Sequence, residues 1–130
     1  MKTRIISVLL LFALACAPQT TPPTTTNGNA NGRFWKTRSA SEKTVFLIGL
    51  HEGLVEAGGK VNTYFPAQFT YRETIESIDA FYSETENVLI PLIFALPLIT
   101  MKVNGTQQNV LDRLVADARV YALTASENKR

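Results

Sequence analysis

The sequence predicts an all-α fold, a compact array of about four helices that follows a disordered tether. Three observations lead there. Two capping boxes, Ser39 with Glu42 and Thr70 with Glu73, each open a stretch whose apolar residues recur at helical spacing. An uncharged apolar run over residues 88–101 carries its two prolines where a helix start and a kink accommodate them. The segment before residue 33 is built from Thr, Pro, Asn and Gly and has nothing to bury.

The chain opens with MKTRIISVLLLFALAC. Lys2 and Arg4 make a short basic start, residues 5–15 an apolar run, and small residues lead to Cys16. That is the layout of a secretory signal peptide over residues 1–15, and its apolar part is too short for a lasting span. Ala13 and Ala15 satisfy the rule of ordinary signal peptidase. The same bond precedes Cys16, and ALAC resembles the lipobox of bacterial lipoproteins, with Ala13 and Leu14 in reversed order. Cys16 is the single cysteine of the chain and stands where lipidation requires it. The expectation is an exported cell-envelope lipoprotein, held on a membrane by acyl chains such as palmitate on Cys16; plain secretion is the alternative. Ala17 stands where an aspartate would resemble an inner-membrane retention signal, which leans the address toward the outer membrane.

Residues 16–32 read as the tether. Fully extended, such a segment reaches roughly 50 Å, enough to hold a domain clear of a lipid surface. The domain itself is expected over residues 33–130. Of the 13 Lys and Arg in the chain, Lys2 and Arg4 fall in the leader, so the exported part balances its 11 Asp and Glu. No basic excess remains to gather phosphates, which argues against nucleic acid as a partner. With no cysteine beyond Cys16, the domain must stand on its core, and its length is sufficient for that.

The first helix is expected from the Ser39–Glu42 box to the stop at Gly58 and Gly59. Leu47, Leu50 and Leu54 form its apolar stripe, widened by Phe46, Ile48 and Val55. A second strip, Val45, Gly49, Gly53 and Ala57, predicts a close neighbour, because each helical glycine costs about 1 kcal/mol against alanine. Residues 60–69 lack helical period and contain Pro66, so an extended connection is expected. The second helix starts at the Thr70–Glu73 box and buries Tyr71, Ile75, Ile78 and Tyr82, with Phe81 alongside. For the third, Asn87 is the expected N-cap, Pro91 lies in the first turn, and Pro97 should kink it. Its uncharged run spans about 21 Å as a helix, short of the roughly 30 Å of hydrocarbon, so a buried central helix is expected. After a turn at Asn104 and Gly105, Thr106 should cap a last helix with Leu111, Leu114, Ala118 and Tyr121 inward. Asp112, Arg113, Asp117 and Arg119 would take the wet side.

Trp35, a serine at 39 or 41, Lys43, Gly49 and Gly53, followed by Phe81, Tyr82, Asn87, Ile90 and Pro91, resemble a group of small exported bacterial helical proteins without assigned chemistry. These share an aromatic before the first helix, a glycine-marked first helix and an FY…N…IP segment. More distantly, the order of glycine-marked, threonine-capped and proline-containing helices is similar to the Tai-type amidase immunity proteins, although the cysteine pairs usual there are missing here. That resemblance implies an all-helical fold and inhibition of a periplasmic wall-degrading enzyme.

The chemistry-bearing residues point to binding rather than catalysis. His51-Glu52 begins a zinc-protease pattern, but Val55 stands where the second histidine is needed and the chain has no other histidine. No Gly-x-Ser-x-Gly elbow occurs. Glu84 and Glu86 would suit glycosidic cleavage only if a cleft held them; in SETEN they read as solvating a turn. No cofactor is implied. The expected activity is therefore binding of a periplasmic protein partner, with Tyr82, Asn87 and His51 as the candidate partner surface. Trp35, Gly49, Gly53, Phe81, Ile90 and Pro91 serve as the structural motif. The alternatives are an envelope hydrolase using His51 and nearby acids, and a structural envelope protein without a discrete site.

Overall fold

The computed structural model describes residues 23–127. The signal peptide, Cys16 and residues 17–22 of the expected tether lie outside the described residues. Within them the fold is all-α, as the sequence predicts, with four long helices, two short ones and a minimal hairpin.

The hairpin comes first: β1 (Thr25–Thr26) pairs antiparallel with β2 (Asn29–Ala30) across Asn27 and Gly28, both at positive φ. Here the expected tether is corrected, because its second half belongs to the folded unit. Thr26 and Asn31 are buried. The Thr26 hydroxyl donates to the Leu89 carbonyl at 2.6 Å, and the Asn31 amide side chain donates to Thr26 Oγ1 at 3.0 Å. Short polar side chains with little apolar surface to bury thus pair polar groups that would otherwise stay unpaired inside the protein.

Asn31 also caps α1 (Gly32–Lys36), accepting from the Arg33 and Phe34 amides, and α1 carries Trp35 into the core at 0% exposure. Both capping boxes form as expected, opening α2 (Ala40–Glu56) at Ser39 and α4 (Tyr71–Ser83) at Thr70. Gly58, at φ +65°, stops α2. The connection read as extended contains a one-turn helix, α3 (Val61–Tyr64), that packs on α5. A 3-10 turn (Thr85–Asn87) follows α4 and ends in Asn87, so Asn87 is not the N-cap expected for the next helix. That helix, α5 (Leu92–Val103), starts after Pro91, one residue later than a first-turn proline requires. Pro97 lies inside it and has no N–H to offer the Ile93 carbonyl. The last helix, α6 (Gln108–Glu127), begins after Gln107, whose carbonyl accepts from Leu111, rather than after Thr106.

α5 is the centre, packed against α3, α4 and α6. Leu92, Ala95, Leu96 and Ile99 meet Trp35, Leu47, Phe65, Ile78 and Tyr82 in one core. The run is not enclosed all round, since Ile93 and Phe94 reach the surface. No helix among the described residues is long and apolar enough to cross a membrane.

Candidate functional site

α4 and α6 both lie on α5, and between them runs a groove of about 680 Å³. It exists because α4 turns the small side chains of Ser77 and Ala80 toward α6. Its floor is Leu98 and Ile99, and its apolar walls are Phe81 from α4 with Leu111 and Val115 from α6. Lys102 and Asp112 mark one end, where Gln108 donates to Asp112 Oδ1 at 2.7 Å. Arg119 closes the other. Its Nε donates to Asn87 Oδ1 at 2.8 Å, while its two Nη groups reach Glu84 and Glu86 at 2.7 Å each. An apolar channel with a charged, hydrogen-bonded rim can take an apolar segment whose ends offer polar groups.

The sequence places Arg119 on the wet side and Glu84 and Glu86 in a solvated turn, and the two glutamates are indeed mostly exposed. The structure joins all three. Arg119 is largely covered, and one guanidinium satisfies two carboxylates and a buried amide. The sequence signal was faint: two acids in SETEN, close together, needed a cation that local spacing does not supply.

Two residues of the expected partner surface are interior. Tyr82 is 0% exposed and donates to the Ile90 carbonyl at 2.9 Å, and burial pushes its phenol well above the ordinary value, so it stays a donor. Asn87 is 2% exposed, donates to the Phe81 carbonyl at 2.8 Å and accepts from Arg119. Both are structural, and only an edge of Asn87 borders the groove.

His51 is apart from them, in a second hollow of about 380 Å³ between α2, α3 and the start of α4. Its ring meets Phe65 and Tyr71 edge-on, with centroids at 5.4 and 6.1 Å. Glu52 Oε1 lies 3.7 Å from His51 Nδ1, too far for a hydrogen bond, and that nitrogen is covered without a partner. Tyr82, Asn87 and His51 therefore do not form one surface. Among the described residues, no group of three or more His, Cys, Asp or Glu is placed to share a metal ion.

The motif residues divide likewise. Trp35 donates to Asp79 Oδ1 at 2.7 Å, the same oxygen that Lys43 reaches at 2.7 Å, with the ammonium 5.1 Å from the Trp35 ring centre. Ile90 and Pro91 are buried beside Tyr82, and Phe81 stacks edge-on against it at 5.3 Å. Gly49 and Gly53 contradict their expectation: a Cβ on either would meet nothing within 4 Å. The strip faces outward, with Val45 69% exposed, and Ile48 and Val55 beside it are exposed too.

Comparison with protein-family models, with curated proteins and with solved structures finds no match to this chain.

Proposed function

We propose that this chain is an exported cell-envelope lipoprotein whose helical domain binds a protein partner in the groove between α4 and α6. The groove carries the reading. It is the larger of the two hollows described, it is apolar along its floor, and both ends offer charged or amide groups to fix a ligand's register. The leader and Cys16 support the envelope address. The sharpest form of the reading is that the bound partner is a periplasmic wall-degrading enzyme held inactive.

The test is a photo-crosslinking residue placed at Ala80 or Val115, expressed in a Gram-negative host. One recurrent envelope protein joined from both positions, and not from an equivalent residue at Val45, is the expected result. Its absence from both would sink the groove as the binding site. A hydrolase acting through His51 is the rival, favoured by the hollow that His51 lines. His51→Ala separates the two. Loss of peptidoglycan turnover with an unchanged melting temperature would support the hydrolase, whereas crosslinking from the groove does not depend on His51.

A further inference from the structure

The hairpin alters what an anchor at Cys16 would do. Thr26 and Asn31 are buried and bonded, and the Asn31 amide donates to the Thr24 carbonyl at 3.1 Å, so the chain is fastened to the domain from Thr24 onward. Residues 17–22 are all that separate Cys16 from Pro23, a distance of at most about 25 Å. A domain of this length has a radius of gyration of about 13 Å and is roughly 30 Å across. The tether is shorter than the domain is wide, so the side of the domain where it leaves stays within about 25 Å of a surface at Cys16.

The side beside the exit point carries exposed apolar residues. β1 contacts α6 and β2 contacts α5. Those two helices expose Ile93 and Phe94 near the start of α5, and Val120 and Tyr121 near the end of α6, at 40, 41, 64 and 40%. Phe94 and Tyr121 meet edge-on at 5.3 Å, and Asn27 in the hairpin turn donates to the Tyr121 hydroxyl at 3.3 Å. Tyr121, expected inward, is instead part of this outer face. Ala122, one residue on, takes the buried position.

The geometry points to this face as a lipid-docking surface: Ile93, Phe94, Val120 and Tyr121 enter the headgroup–acyl boundary of the bilayer that carries the Cys16 anchor. For its place in the cell the inference rests on the anchoring reading above. The occupant follows from the tether, whose fixed end and short reach keep this side of the domain the one nearest the lipid. Aromatic rings with a polar tip, as in Tyr121, suit that boundary. Ile93, Phe94 and Tyr121 carry no charge, whereas Asp117 and Glu127 are exposed on the Val120 side of α6. The contact is therefore apolar beside the hairpin, polar beyond it, and does not call for anionic lipid. Docking here leaves the groove on the α4 side accessible to a partner.

The experiment uses the mature chain from Cys16, coupled through its thiol to a maleimide lipid in phosphatidylcholine vesicles with brominated acyl chains. Phe94→Trp, Tyr121→Trp and, on α2, Val55→Trp are compared; the buried Trp35 supplies the same background in each. The added emission of Phe94→Trp and Tyr121→Trp is expected to fall at least two-fold on brominated vesicles, with Val55→Trp unchanged. No quenching at either patch position, or equal quenching at Val55→Trp, overturns the proposal. Coupling through the thiol makes the result independent of lipidation in the cell. An unacylated Cys16 in the intact mass of the native protein would remove the anchoring reading by itself.

Discussion

Gly32 and the pair Gly49 and Gly53 sit on helices of the same small domain, in opposite surroundings. A Cβ on Gly32 would come within 2.5 Å of the Tyr82 ring, which is itself wholly buried and bonded to Ile90. A Cβ on Gly49 or Gly53 would project into open space. Gly32 therefore exists for contact at the place where hairpin, α1 and the α4–α5 link converge, and the helical pair has no packing reason in the folded chain. What distinguishes them is not the local pattern, since the pair shows the more regular spacing, but what the rest of the chain brings up against each.

The largest way to test that contrast is Gly32→Ala. Tyr82 cannot yield without breaking its own hydrogen bond, so overpacking should destabilise the domain by about 3 kcal/mol. Thermal unfolding would then drop by roughly 12 °C or more for a domain of this size. A drop of only a degree or two would show that the Tyr82 ring has room to move. Next come Tyr82→Phe and Asn87→Ala, each of which strands a buried partner: the Ile90 carbonyl in one, the Phe81 carbonyl and the Arg119 Nε in the other. A loss of about 1–3 kcal/mol is expected from each in chemical denaturation. Unchanged stability with weakened crosslinking in the envelope would return them to the role of partner contacts.

The opposite sign is expected on α2. Gly49→Ala and Gly53→Ala should each stabilise by about 1 kcal/mol, because they gain helix propensity and meet no neighbour. If either destabilises, the outward face of α2 is covered in the protein as purified, and the apparent molecular mass by light scattering would show whether a second copy covers it.

Local rules explain which parts of this fold were legible. Capping boxes and a glycine stop are settled within a few residues of themselves, so Ser39, Thr70 and Gly58 behave as their neighbours dictate. Core stripes were legible where one neighbour suffices, as at Leu47, Ile78 and Leu111. Residues whose role depends on distant chain were not. Thr26 and Asn31 look like tether until Leu89 and Pro91 come beside them, and Arg119 looks solvated until the 3-10 turn presents Asn87 and two glutamates. The groove was invisible for the same reason, because it is the space left where two helices rest on a third. Asn87 and Tyr82, expected on a partner surface, belong with these residues, because their polarity serves the interior.

The smallest effect concerns the capping boxes, which lie at the helix starts and away from both glycine sites. The Ser39 backbone amide donates to Glu42 at 2.7 Å and the Thr70 amide to Glu73 at 2.7 Å, and these bonds hold both carboxyls below the ordinary value. A folded value lower than the unfolded one adds stability above the ordinary carboxylate range, and that stability is lost as pH falls through the lowered folded value. Acid should therefore loosen the starts of α2 and α4 before it reaches the core. Glu42→Gln with Glu73→Gln keeps a side-chain acceptor in each box but removes the titration. At neutral pH the double variant should unfold slightly below the parent temperature, and the two should converge as pH falls through the carboxylate range, so that its curve of midpoint against pH is flatter. An acid limb identical to the parent's would mean that the two capping boxes do not govern the response to acid.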